Sequence, residues 1–321
     1  MKKIIIGIVL LYLISVVSCA PKEATSVSET NAATSEAIDG YDTMESKVTY
    51  SNLLEQSSQD ELKESLLKAG ITKSKVDHVI DWIINFNELE KDNLTSGYQT
   101  MDDGYVSYNH HTAIGKAWKE NNGDYEDLYC RIVAFYLMED FISVENILPD
   151  DEMYLTRPFT YEDDGEVLTV YSGDKNVIDH SPMLKWSSRS QSAYYTLFNP
   201  IGIEEDFDVG QRAAAIIASW NKRKITFTKG QVSLVTIWNE LSSEANTTKQ
   251  IFAGHAGVLI DDKDSLLFFE KTNPLFPYQV TKFQTKEQLK DYLIATVVAE
   301  NRLYGEETGI FFVMENNNLI E

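Results

Sequence analysis

Apolar residues recur at helical spacing through the first half of the chain and at alternating spacing through its last third. Leu62, Leu66 and Leu67 fall on one face after Ser58-Gln-Asp-Glu61, which reads as a capping box, and before Gly70, which reads as a stop. Val76, Val79, Ile80, Ile83 and Ile84 mark the inner stripe of a second helix, and residues 91–111, rich in Gly, Asp, Asn and Tyr, read as a loop. A short helix is expected around Trp118, before Gly123-Asp124. From about Leu128 to Ile142 the apolar positions Ile132, Val133, Phe135, Tyr136, Leu137 and Phe141 surround most of the circumference, which predicts a buried helix. Either Asp127 or Asp124 fits its N-cap, so Cys130 stands in the first turn or deeper.

Residues 145–207 lack a clear period. Acidic turns (Asp150-Asp151-Glu152, Glu162-Asp163-Asp164) alternate with short apolar pieces and one helix near Tyr194 to Phe198. After a helix from Val209 to Trp220 the pattern alternates, predicting strands at Ile225–Thr228, Val232–Trp238, Ile251–Ile260, Ser265–Lys271 and Tyr278–Phe283. Thr285-Lys-Glu-Gln288 then caps a helix with Leu289, Tyr292, Leu293 and Val297 inward, and a strand from Ile310 to Met314 closes the chain. Helices followed by an antiparallel sheet give an α+β fold.

The N-terminus follows different rules. Lys2 and Lys3 precede an apolar run from Ile4 to Val17, shorter than the ~20 residues a membrane-spanning helix needs, so it reads as an export signal. Val16-Val17-Ser18-Cys19 closes that run and resembles the bacterial lipoprotein signal, in which a small residue precedes a lipid-modified cysteine. The resemblance implies lipidation at Cys19, with two or three acyl chains anchoring the mature chain to the extracytoplasmic face of the cell membrane. Residues 20–47 are poor in large apolar side chains and read as a disordered tether. The expected organisation is a signal peptide over 1–19, the tether over 20–47, a helical part over 48–123, and an α+β part over 124–321 with an irregular insertion at about 145–207.

A formal net charge of -22 argues against nucleic acid and anionic lipid surfaces as partners, since both repel such a protein. There are two cysteines; with lipid on Cys19, Cys130 has no disulfide partner and is a free thiol in an exported body.

Strands 251–260 and 265–271 place chemistry beside that thiol. A hairpin turning between Asp261 and Asp264 sets Ile260 opposite Ser265 and His255 directly opposite Glu270, on one face. A carboxylate so placed orients one imidazole nitrogen and leaves the other to take a proton from a thiol. A helix N-terminus and a neighbouring His⁺ both favour the thiolate. A two-residue shift of register is expected to break the pairing.

The order Cys130, His255, Glu270, on a buried helix and two successive strands, resembles the layout of papain-like, NlpC-type cell-wall peptidases and their amidase relatives. That resemblance implies a papain-like arrangement with Cys130 as nucleophile, His255 as general base and Glu270 as orienter. NlpC-type cysteines usually follow Asp and precede small residues, whereas Tyr129 and Arg131 flank this one; the Cys130 backbone N–H is one oxyanion donor and the second is unassigned. Tyr50-Ser-Asn-Leu53, Cys130-Arg-Ile, Gly254-His-Ala-Gly-Val-Leu-Ile260, Phe269-Glu-Lys271 and Pro277-Tyr-Gln279 are together similar to a family of Gram-positive lipoproteins classed as a domain of unknown function.

Other candidates are weaker. His110 and His111 are adjacent, so at most one faces a given metal site; His78 and His180 are lone histidines. The acidic runs lack the EF-hand pattern and read as solvated loops. No zinc-spaced cysteines, H-E-x-x-H or phosphate-cradling glycine loop occurs, so neither cofactor nor metal is expected. Aromatics from Trp186 to Tyr195 suit packing better than sugar stacking. Two functions remain: a cysteine hydrolase acting on amide bonds, with peptidoglycan stem peptides or protein as substrate, or a non-catalytic binding or envelope-assembly lipoprotein on the same scaffold.

Overall fold

The computed structural model describes residues 48–106, 108, 115–122, 127–163, 166–171, 173–241, 249–262, 265–303 and 309–321. Cys19, His110 and His111, Asp124 and the turn residues Lys263 and Asp264 lie outside them.

In chain order, β1 (Thr49–Ser51) leads into α1 (Gln56–Lys68) and α2 (Lys73–Glu90), then β2 (Gln99–Thr100), α3 (Lys116–Asn122) and α4 (Cys130–Met138). Then come β3 (Ile142–Val144), a hairpin of β4 (Pro158–Asp163) and β5 (Glu166–Tyr171), α5 (Gly173–His180), α6 (Ser188–Leu197), β6 (Ile201–Gly202), α7 (Val209–Lys222) and β7 (Ile225–Phe227). The last third holds β8 (Val232–Leu241), β9 (Gln250–Asp262), β10 (Ser265–Glu270), β11 (Gln279–Phe283), α8 (Lys286–Leu303), β12 (Phe312–Glu315) and β13 (Asn318–Leu319). This is the expected α+β order, helices first and the main antiparallel sheet after.

The main sheet runs β13-β12-β8-β9-β10-β11-β1-β2, with β6 also paired to β9. Thus β1 and β2, from the N-terminal part, complete an edge of the sheet made by the C-terminal part. Alternation along the central strands sends Val258, Ile260, Leu267 and Phe269 into the larger core, shared with α1, α2 and α4. Leu259, Leu266 and Phe268 point the other way, onto Leu289, Tyr292 and Leu293 of α8. The central strands are therefore buried on both faces. Among the described residues no helix is long and apolar enough to cross a membrane.

Local details depart from expectation. α1 begins at Gln56 rather than after Ser58; Ser58 lies inside the helix and donates its hydroxyl to the Glu55 carbonyl. Gly70 does end it, at φ +93°, a conformation that favours glycine. The helix expected to reach Ile142 stops at Met138 and tightens into a 3₁₀ turn, because Ile142–Val144 pairs as β3 with β7. Trp186, Tyr194 and Phe135 pack ring against ring, so the aromatic segment serves the core.

Candidate active site

α4 places Cys130 at its first residue, after Tyr129 in an extended conformation at the N-cap. Of the two expected caps, Asp124 lies outside the described residues, and Asp127 is turned into a buried ion pair instead. Cys130 is a free, buried cysteine, 2% exposed. Its helix packs across β8, β9 and β10, the strands that carry His255 and Glu270 among them.

The register of that hairpin differs from the one expected. Ser265 pairs with Asp262 and Phe269 with Val258, a shift of two residues that brings Gly257, not His255, level with Glu270. His255 and Glu270 meet nonetheless, on the diagonal, with Nε2 2.6 Å from Oε2. Two glycines account for this. A Cβ at Gly257 would stand 2.3 Å from Phe268 Cζ and 2.8 Å from the Phe269 carbonyl oxygen, so the Phe268 ring takes that space and the residue level with Glu270 can carry no side chain of its own. The diagonal neighbour can then reach across. Gly254 is the extra residue of a bulge against β8, where Ile237 pairs with His255 but Trp238 pairs with Ala253, and such bulges re-aim a neighbouring side chain.

Glu270 is buried and its other oxygen is also satisfied. Tyr292 of α8 donates its hydroxyl to Oε1, and Gln279 Nε2 approaches the same atom at 3.4 Å. Gln279 in turn accepts from Tyr108, whose hydroxyl accepts from Asn52 Nδ2. A chain of hydrogen bonds thus runs from the segment after β1 to the His255 ring. On the ring's far side Nδ1 is buried and has no hydrogen bond of normal geometry, while the Cys130 thiol lies close enough to act on the imidazole. Burial alone would make the ring less basic. Hydrogen bonding and charge from Cys130 and Glu270 outweigh it and push the imidazole up to about 10.

Both sides of Cys130 are held by buried charge. Arg131 donates through Nε and Nη2 to Asp174 of α5, at 3.1 and 2.6 Å, and through Nη1 to the Ala253 carbonyl at 2.9 Å, beside the bulge. Tyr129 and Tyr194 donate their hydroxyls to the same carboxylate. Burial would raise Asp174, but Arg131 and these hydroxyls hold its carboxyl below the usual range. Three residues before Cys130, Asp127 Oδ2 lies 2.9 Å from Lys271 Nζ, the residue after Glu270, and both side chains are fully buried.

A family model, domain of unknown function (DUF4300), matches residues 49–320. The chain belongs to this family. No curated protein and no solved structure matches it. The DUF4300 domain spans every element described above, from β1 to β13.

The three residues expected from the sequence are brought together within the DUF4300 domain. Missed were Asp174, Asp127, Lys271 and Tyr292. Lys271 and Gln279 lie in segments singled out for family similarity, as do Asn52 and Arg131, so that signal pointed to the site's supports. Asp174 sits in the stretch without a period and carried none. His78 bonds Tyr136 at 2.7 Å, at a distance from this chemistry along α2. Among the described residues no group of three or more His, Cys, Asp or Glu side chains could hold a metal ion.

Proposed function

We propose that this is an exported lipoprotein, anchored through Cys19, whose DUF4300 domain is a papain-like cysteine hydrolase of amide bonds. The observation that carries the reading is the placement of His255, buried between the Cys130 thiol and the Glu270 carboxylate with one ring nitrogen left without a fixed partner. In the reaction, His255 takes the Cys130 proton and Sγ attacks the scissile carbonyl. The imidazolium then gives its proton to the leaving amine, and water releases the acyl group by the same route in reverse. Glu270, fixed by Tyr292 and Gln279, holds the ring tautomer and stabilises the imidazolium. The backbone N–H of Cys130, which as the first N–H of α4 has no partner within the helix, is a donor for the oxyanion. Peptides of the cell wall are the substrate class that fits a membrane-surface enzyme of this layout.

The test couples reactivity to turnover. Iodoacetamide should label Cys130 in the native protein at pH 7, and His255→Gln should slow that labelling by about tenfold or more as the thiolate loses its ion-pair partner. Cys130→Ala should abolish release of amines from peptidoglycan stem peptides. Labelling that appears only on denaturation, with no turnover, would exclude the enzyme. That outcome leaves the second reading, a non-catalytic binding lipoprotein, which the slight exposure of Cys130 favours.

A further inference from the structure

Lys271 and Asp127 are unusual partners for each other. Neither side chain reaches solvent, and the pair lies inside an apolar cage: Lys271 Nζ stands 3.8 Å from the centre of the Phe86 ring and 4.3 Å from that of Tyr278. Besides Asp127 the ammonium has one other acceptor, the Phe276 carbonyl at 2.7 Å. Asp127 Oδ2 receives Lys271 and a long contact from the Tyr278 hydroxyl at 3.4 Å, while Oδ1 is buried without a hydrogen-bond partner. A buried ion pair is stable only when its remaining donors and acceptors are satisfied, and this one is not. Its electrostatics follow: burial raises Asp127 in spite of Lys271, and lowers Lys271 in spite of Asp127 and Glu90. Both shifts favour the neutral acid and the neutral amine.

A third group completes the cluster. Glu90 lies one helical turn after Phe86 on α2, is fully buried, and acts on Lys271 through its charge. Its carboxylate is held by the Trp118 backbone N–H at 3.0 Å and by Asn93 Nδ2 at 3.1 Å. An amine and a carboxyl group in contact, with a fixed second carboxylate near enough to act on the amine by charge, all shielded from water, are the components of an acyl transfer that needs no outside reagent.

We propose that Lys271 and Asp127 condense into an intramolecular amide bond, with Glu90 carrying the proton. The ion pair first passes its proton from ammonium to carboxylate. The amine lone pair then attacks Asp127 Cγ, Glu90 takes a proton from the nitrogen, and the same proton is delivered to a carboxyl oxygen that departs as water. One C–N bond forms and one C–O bond breaks, with no change of oxidation state. The product ties the segment before Cys130 to the strand bearing Glu270, and it forms whether or not Cys130 is catalytic.

Mass spectrometry of the purified full-length protein tests this directly. After denaturation and trypsin digestion, a branched peptide joining the Asp127 and Lys271 segments should appear, lighter than the two linear peptides together by one water. Trypsin should fail to cut after Lys271. Glu90→Gln, with folding checked by circular dichroism, should lower the branched fraction at least tenfold, and Cys130→Ala should leave it unchanged. Linear peptides alone, with cleavage after Lys271 in wild-type protein, overturn the bond. A branched peptide undiminished in Glu90→Gln overturns the role of Glu90.

Discussion

Two buried ion pairs flank Cys130, and they are built to opposite standards. Arg131 and Asp174 form a closed network: the guanidinium donates twice to the carboxylate and again to a backbone carbonyl, and two tyrosine hydroxyls complete the carboxylate. Asp127 and Lys271 are as deeply buried but carry one orphaned oxygen and a wall of aromatic rings. The first arrangement keeps its charges, with Asp174 lowered and Arg131 raised well above its ordinary value. The second disfavours them on both partners. Burial alone is therefore a poor guide to what an ion pair does; the number of hydrogen bonds left over distinguishes a strut from a reactive couple.

The sharpest break in this comparison comes from removing one partner on each side. Asp174→Ala strands Arg131 in the core and should cost about 3–5 kcal/mol, read as a fall in the urea midpoint. In the Glu90→Gln background, where the amide bond is at least tenfold rarer, Lys271→Met should cost only about 1–3 kcal/mol, because Asp127 can take up a proton instead of remaining a stranded charge. Equal losses in the two variants would erase the distinction.

Titration sharpens it further with smaller effects. His255 is raised from 6.5 to about 10, so the folded state holds the extra proton. Its contribution to stability is complete below pH 6.5 and is lost as pH rises towards 10. Urea midpoints should decline over that window, and His255→Gln should flatten the decline. The acid limb is the smallest effect. Asp174, lowered from 3.8, contributes stability above that pH which is lost as pH falls through its folded value, whereas Asp127, raised from 3.8, works in the opposite direction wherever its carboxyl is not condensed with Lys271. Asp174→Asn should therefore reduce the loss of stability in acid, measured by thermal unfolding between pH 5 and 2.

Much of this was legible in the chain because local rules sufficed. Period-two alternation located β8 to β11 within a few residues, and the inner stripe of α2 is buried at Val76, Val79, Ile80 and Ile83 as its spacing requires. Cys130 at a helix start and the carboxylate on the strand after His255 were likewise readable. The meeting of His255 with Glu270 was expected for a reason the register overturns. The direct opposition presumed a turn over Asp261 to Asp264, but Asp261 and Asp262 extend β9, the residue level with Glu270 is Gly257, and the bulged Gly254 precedes His255. A glycine whose side-chain space is taken by a neighbour looks like any other glycine until Phe268 is seen against it. Asp174 was hidden because its partners, Tyr129, Arg131 and Tyr194, come from three other segments and share no spacing.

The position of β1 in the sheet has a kinetic consequence. Thr49–Ser51 lies between β11 and β2, so the first strand of the domain waits for Gln279–Phe283 before it gains its main partner. A ribbon of β1 with the two-residue β2 is too small to persist alone. Long-range pairing of this kind raises contact order and slows folding, and the sheet cannot close until nearly the whole domain has been made. For a chain exported as proposed above, if it crosses the membrane unfolded, the delay is useful. In a chain so exported, the leading segment would have nothing yet to fold against, and Cys130, His255 and Glu270 would assemble only after the domain had arrived on the far side.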